Sequence, residues 1–478
     1  MNSILIIIDR EITMTNNNEI FQYPEEVKAR LDETDDLEFR DGRRVSPEEI
    51  WHFLSEEGPR RFPHAFSTSQ YYGGRISNDT GFLSAIKRNY LQLSAKDRLL
   101  DAHNKGVPIV LVQGGQNMDP YYAAGGIPLR PGFVMRQAQH KEEGLDLRKA
   151  DLRGQSILET GRRTISIEAC HQISAHAAAD EEIVPIDLIA PYLNLRCSDM
   201  AYLVESHRHG KKNIPLYLVD FPVNRQHEKQ WAVEYLAKML HTLTQKIGAL
   251  SGKEVSDDVL KEEIKFLNTG RRLAREYNEL WLSAKVPPTN STDHRSLVGL
   301  GQDYNGDEVA AIQILKEAYK ETKERVKHSV KGKGVADDPA RIFICGSCVG
   351  PNPNHVDRSG GVVVGRDDGW SVVNVDVKES GDPYENLSRA ILSFPYELPT
   401  EERSLWTAQQ AKESRADGLI FMYNWGCNYQ TAVGRMIADI VKEETGIPSI
   451  NIDVGELGRM EAPEQSENRV ESFIEMLK

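Results

Sequence analysis

The chain is poor in cysteine, with five thiols in 478 residues, an odd number at wide spacing. That excludes a disulfide framework. A reducing, cytoplasmic setting is the simpler reading, and there a thiol serves metal binding or catalysis. Long apolar runs are also absent. The longest, Ile4 to Ile8, is far short of the ~20 residues that cross a bilayer. No positive charge precedes it, as a signal peptide would require, so no membrane partner is expected. Residues 1–13, upstream of Met14, read as an upstream start or a frayed end. Basic charge is in deficit, with 58 Lys and Arg against 72 Asp and Glu, a formal charge of −14. That argues against a general nucleic-acid binder, while a local cluster of Arg and Lys can still meet an anionic ligand. No G-x-x-x-x-G-K-[ST] phosphate loop occurs, so ATP hydrolysis is expected elsewhere.

Apolar residues make up 40% and charged residues 27%, as in a soluble globular protein. Four regions are expected. Residues 1–105 read as a helical N-terminal region, 106–224 as a first α/β lobe, 225–334 as a helical connector and 335–478 as a second α/β lobe. The lobes rest on short apolar runs read as buried strands of parallel sheets. These are Pro108–Val112, Thr164–Ile167, Leu188–Leu193 and Pro215–Val219 in the first, and Arg341–Ile344, Ser371–Val375, Leu419–Met422 and Pro448–Ile452 in the second. Between them, Trp231–Ile247 and Val259–Leu280 carry a helical period, and Lys-Gly-Lys-Gly at 331–334 reads as a linker.

The lobes look duplicated. Asp187 opens one strand run and Cys197 follows by ten residues; Asp417 opens another and Cys427 follows by ten. Ile214-Pro215 leads to Asp220, and Ile447-Pro448 leads to Asp453, six residues on in both cases. A third interval is the seven residues from Arg163 to Cys170 and from Arg341 to Cys348.

Cys170, Cys197 and Cys427 all fall at expected carboxyl ends of strands, where open parallel sheets bind ligands. Two readings stand. They are ligands of an iron–sulfur cluster, with the fourth iron left open as in catalytic metal sites, or they are small buried hydrophobes. Cys345-Gly346-Ser347-Cys348 has three readings: structural, a contribution near the cluster through Cys348, or a redox pair.

The segment Asp417-Gly418-Leu419-Ile420-Phe421-Met422-Tyr423-Asn424-Trp425-Gly426-Cys427-Asn428 resembles the benzoyl-CoA reductase/2-hydroxyacyl-CoA dehydratase family. Dehydratases of the family usually carry a Lys-Phe-Cys-Asp/Glu-Pro-type motif here. Asn-Trp-Gly-Cys-Asn looks more like the non-ATPase B subunits of ATP-dependent benzoyl-CoA reductases. Cys197-Ser198-Asp199-Met200 and Asp220-Phe221-Pro222 also fit, and the likeness covers roughly 105–478. It implies two flavodoxin-like parallel-sheet lobes, with a helical N-terminal region and a helical insertion between them. It further implies a [4Fe–4S] cluster held by Cys170, Cys197 and Cys427. The implied partners are a paralogous cluster subunit, ATPase activator subunits with their own [4Fe–4S] cluster, and ferredoxin as upstream donor. The implied reaction reduces an aromatic acyl-CoA to a cyclic dienoyl-CoA. A 2-hydroxyacyl-CoA dehydratase subunit, or a non-catalytic electron-relay subunit, is the alternative.

Around these cysteines, His171 and His176 are candidate proton donors, or plain surface imidazoles. Asn424, Trp425 and Asn428 either hydrogen-bond cluster sulfurs and wall a ring pocket, or only pack. Arg196 is a candidate for the phosphates of coenzyme A, or is solvated. The same holds for Arg162-Arg163, and the basic run His207 to Lys212 is either a solvated loop or a surface for coenzyme A or activator docking.

Overall fold

The computed structural model describes residues 20–68, 76–112, 117–130, 144, 156, 159–160, 163, 185–193, 213–220, 222, 229–345, 351–367, 372–394, 398–423, 428–453 and 463–478. At the N-terminal side, helices α1 (Glu25–Leu31), α2 (Pro47–His52), α3 (Gly58–Arg61), α4 (Leu83–Leu93) and α5 (Ala95–Asn104) accompany a small antiparallel pair, β1 (Leu37–Glu38) with β2 (Arg44–Val45). Helix α2 starts where it does because Ser46 and Glu49 form a reciprocal capping box and Pro47 occupies the first turn.

The first parallel block holds β3 (Ile109–Leu111), α6 (Asp119–Ala123), β4 (Ile127–Leu129), β5 (Leu188–Ile189), β6 (Tyr192–Leu193) and β7 (Val219–Asp220). Four helices follow: α7 (Gln230–Ser251), α8 (Asp257–Ser283), α9 (Ser291–Gly299) and α10 (Glu308–Lys327). The second block holds β8 (Ala340–Cys345), α11 (Pro353–Arg358), β9 (Gly361–Arg366), α12 (Pro383–Leu392), α13 (Thr400–Glu413), β10 (Gly418–Tyr423), α14 (Asn428–Thr445), β11 (Ser449–Asp453) and α15 (Pro463–Leu477).

The connector helices are amphipathic at helical spacing. Helix α8 buries Leu260, Ile264, Leu267, Ala274, Tyr277 and Trp281, and Ser256 caps it by accepting from the Val259 N–H. Helix α7 buries Val233, Leu236, Leu240, Leu243 and Ile247 and stops at Gly252, whose φ of 69° suits glycine. In the second block, alternation sends Ile342, Ile344, Ile420 and Met422 to one face, under Val470, Phe473 and Ile474 of α15. Phe343, Cys345, Leu419 and Phe421 go to the other, under α13 and α14. A sheet covered on both faces needs such continuous apolar strands.

Strand order repeats between the blocks. The second sheet runs β9-β8-β10-β11, all parallel. In the first block β4-β3-β5 are parallel, a parallel bridge from Ile189 to Leu216 extends the set, and β6 pairs with β7. Each lobe therefore follows the flavodoxin-like order second, first, third, fourth.

The duplication extends to single hydrogen bonds. The Asp187 carboxylate accepts from the Ile109 N–H at 2.8 Å; the Asp417 carboxylate accepts from the Arg341 N–H at 2.7 Å. The Asp187 N–H donates to the Ile109 carbonyl at 2.9 Å and the Asp417 N–H to that of Arg341 at 2.8 Å. Ile189 N donates to the Pro215 carbonyl, and Leu419 N to that of Pro448, both at 2.9 Å. Tyr192 pairs with Val219 and Leu193 with Asp220, as Met422 pairs with Ile452 and Tyr423 with Asp453.

Two expectations need correction. The first is the third spacing interval. The partner of Arg341 at the start of β8 is Ile109 at the start of β3, not Arg163. Arg163 is an exposed helical residue facing Glu159 at 4.0 Å. The second is the strand at Ser371–Val375. Residues 372–374 form a turn, and the strand of that region is β9, upstream. Val372 and Val373 are buried, but side chains of α8 take the place of a neighbouring strand. Arg275 donates to the Val373 carbonyl at 2.5 Å, and Asn268 both donates to the Val377 carbonyl and accepts from its N–H. Strand β4 was not foreseen. The expected strand Thr164–Ile167 lies outside the described residues.

Candidate functional site

Cys170, Cys197, Cys427, Cys348, His171, His176, Asn424, Trp425 and Arg196 lie outside the described residues. Asn428 is the first residue of α14. What the structure supplies is the framework leading to them. In each lobe the order of strands reverses between the first and third strand, which is where open α/β sheets place ligands, outside the carboxyl ends. In the second lobe those strands are β8 and β10, hydrogen-bonded through Phe343–Leu419 to Cys345–Phe421. Strand β10 ends at Tyr423, four residues before Cys427; β6 ends at Leu193, four residues before Cys197. Both last residues sit opposite an aspartate, Asp453 and Asp220. The matching register supports matching roles for the two cysteines.

Beside the β8 end lies a sealed charged group. Cys345 is fully buried, and its thiol donates to Asp367 Oδ2 at 2.9 Å. Arg403 on α13 meets the same carboxylate through Nε at 3.1 Å and a terminal nitrogen at 2.6 Å, with both side chains inaccessible. The Cys345 thiol is thereby committed to a carboxylate inside the core, while Cys348, the other cysteine of the motif, lies outside the described residues.

The first lobe carries a comparable pair at its own strand ends. Arg271 of α8 donates to Asp119 Oδ2 at 2.5 Å, and both are buried. Asp119 opens α6, just past the end of β3. Asn117 donates to the same oxygen at 3.2 Å, and Arg271 also donates to Asn268 at 2.6 Å. Arg130, just past the end of β4, donates to the Gln302 carbonyl at 2.6 Å. Burial opposes the charge on Arg271, but Asp119 more than restores it, and the guanidinium is held above its ordinary value. Burial pushes Tyr192, at the start of β6, well above the ordinary phenol range, helped by Tyr121 and Asp119.

Neither cleft of note among the described residues coincides with these ends. One of about 150 Å³, lined by Arg40, Arg43 and Arg98, abuts Val107 and Gly126 at the amino ends of β3 and β4. One of about 270 Å³ lies between Ser77, Asn290, Asp293, Lys333 and Asp357. Asp119, Arg271, Asp367 and Arg403 were missed from sequence. Asp119 and Arg271 are 152 residues apart and Asp367 and Arg403 are 36 apart, so no local pattern announces either pair.

Comparison with known proteins agrees with this framework. Residues 120–477 match the family model described as 2-hydroxyglutaryl-CoA dehydratase, D-component. The C component of the benzoyl-CoA reductase of Thauera aromatica is 26% identical over 259 residues. The match covers 50% of this chain and 62% of that relative, so the chain spans less than two thirds of its length.

Proposed function

Because the chain belongs to the 2-hydroxyglutaryl-CoA dehydratase D-component family, we propose that it is an iron–sulfur subunit of a multi-subunit enzyme acting on acyl-CoA thioesters, specifically an ATP-dependent benzoyl-CoA reductase. The observation that carries this reading is the shared register that ends β6 and β10 four residues before Cys197 and Cys427. A cysteine retained at the same offset from two equivalent strand ends suits a ligand set better than incidental core thiols.

Cys170, Cys197 and Cys427 would hold a [4Fe–4S] cluster. When bound, it supplies single electrons at low potential, which addition to a thioester-activated ring requires. The donor set fits, since thiolates are the ligands such clusters take. The chain's own residues do the rest. Arg403 neutralises Asp367, and Asp367 engages the Cys345 thiol, so that neither the carboxylate nor this thiol competes near the strand ends. His171 and His176 supply protons, and Arg196 meets the phosphates of coenzyme A. Asn424, Trp425 and Asn428 border the ring. The partners are a paralogous cluster subunit and ATPase activators fed by ferredoxin. The relative in Thauera aromatica is a C component, whereas the segment around Cys427 resembles B components. The reading rests on what the two share, membership of one reductase.

The family model's description favours a second reading, a radical dehydratase subunit acting on 2-hydroxyacyl-CoA. One experiment tests both. Iron and acid-labile sulfide are measured on the anaerobically purified complex, wild type and Cys427→Ala, followed by turnover of benzoyl-CoA and a 2-hydroxyacyl-CoA. About four irons lost with the mutation, the stoichiometry of the proposed [4Fe–4S] cluster, together with ring reduction in the wild type, supports the reductase. Dehydration alone supports the second reading. No iron in the wild type sinks both.

A further inference from the structure

Buried polar atoms are almost always hydrogen-bonded, to protein or to ordered water. At the strand ends of the first lobe, four are not. Asn117 Oδ1, Asp119 Oδ1, Arg271 Nε and Gln302 Oε1 have no hydrogen-bond partner among the described residues. Asn117, Asp119 and Arg271 are 0% exposed and Gln302 is 7% exposed. They belong to one neighbourhood. Asn117 and Arg271 share Asp119 Oδ2, Gln302 receives Arg130 on its carbonyl, and Tyr304 lies within electrostatic reach of Arg271, Asp119 and Arg130. An ion pair with open lone pairs stabilises little, because desolvation offsets the attraction. One open donor and three open acceptors, inaccessible except at Gln302, match the chemistry of water, which both gives and takes hydrogen bonds.

The second lobe supplies the contrast. Its buried pair, Asp367 with Arg403, is closed by the Cys345 thiol, and no atom of the three is open. The open atoms of the second lobe among the described residues, Thr407 Oγ1 and Asn451 Oδ1, belong to no ion pair; the open ion pair of Asp119 with Arg271 lies where α6 and α8 meet the ends of β3 and β4.

We propose that Asn117, Asp119, Arg271 and Gln302 hold a cluster of ordered waters and that this cluster delivers protons to the acyl-thioester site at the carboxyl edge of the lobe. About two or three waters would satisfy the four atoms, at roughly three hydrogen bonds each. The delivery half rests on the functional reading above. At each hop one O–H bond forms as another breaks, so one proton enters from solvent for each proton delivered, and no electron moves. Asn117 and Gln302 act as positioning residues for the waters.

The test has two arms on the purified complex. A high-resolution crystal structure of the wild type shows waters within hydrogen-bonding distance of the four atoms, and the Asn117→Leu/Gln302→Met double variant loses them. Benzoyl-CoA turnover in that variant falls about a hundredfold, the lower range for assisted proton transfer. Its KM and iron content hold, and its solvent deuterium isotope effect on kcat rises. Gln302→Met alone, the milder change, gives a smaller shift in the same direction and serves if the double variant does not fold. A crystal in which the four atoms bond to protein or to an ion overturns the water cluster. Waters lost with turnover and isotope effect unchanged overturn the proton delivery. A wild type that holds iron but turns over no thioester sinks the functional reading and proton delivery together, and the crystal then decides the cluster by itself.

Discussion

The two lobes share strand order, register and the aspartate that closes their amino edge, yet treat buried charge in opposite ways. The second lobe saturates its pair: Asp367 takes two bonds from Arg403 and one from Cys345. The first leaves Asp119 Oδ1 and Arg271 Nε open. The pairs sit at different points of the repeat, Asp119 between the first and second strands and Asp367 after the second, and the surrounding side chains decide whether each is closed or open. A dry pair next to a strand end excludes water; a wet pair admits it.

The sharpest way to break this contrast is to remove one partner in each lobe. Arg403→Met leaves an inaccessible carboxylate with no counter-charge and is expected to cost about 3–5 kcal/mol in urea unfolding. Adding Asp367→Leu should recover most of that loss, because a well-packed apolar pair often matches a buried ion pair. Arg271→Met should cost less than Arg403→Met, because the proposed waters would still solvate Asp119. Equal costs would show that the lobes are equally dry.

A second difference concerns docking. Asp357 of α11 accepts from the Ser291 N–H at 2.9 Å and from its hydroxyl, and Ser291 in turn accepts from the Val363 N–H at 2.8 Å. Burial pushes Asp357 up to about 7 and Asp293, on the same helix as Ser291, up to about 6. Both lie above the ordinary 3.8, so their contribution to stability is fully present below about pH 4 and is lost as pH rises through 7. The apparent melting temperature attributable to this contact should fall between pH 4 and 7. Asp357→Asn should flatten that part of the profile, and an unchanged slope would remove Asp357 as its source.

The smallest expected effect tests the likeness itself. Asp187→Ala and Asp417→Ala each remove a charged acceptor from a backbone N–H, at an expected cost of about 1–2 kcal/mol. Asp187 also meets His103 Nδ1 at 3.2 Å, so its loss should match or exceed that at Asp417. A smaller loss at Asp187 would mean that the geometric match hides different energetics.

Much of this framework was legible in the sequence. Strands β8, β10 and β11 announced themselves as apolar runs, and α7 and α8 by their period. The repeat was visible in the Asp-to-Cys and Pro-to-Asp intervals because register is set by counting residues. The Arg163 interval misled for the same reason: a matching count carries no hydrogen bonds. Strand β4 escaped because it is three residues long, contains Pro128 and follows two glycines. Val372 and Val373 read as a strand because burial leaves the same mark on sequence whether a backbone is paired by a neighbour or by Asn268 and Arg275. The buried charge pairs were invisible, since each joins segments distant in the chain.

The paired aspartate braces have one further consequence. Each ties the first and third strands together at their amino ends, through Ile109 in one lobe and Arg341 in the other. Alignment of the two strands is thereby settled at the amino edge. Loops that leave the opposite edge take no part in this tie, so exchanging them between the lobes should leave both braces in place.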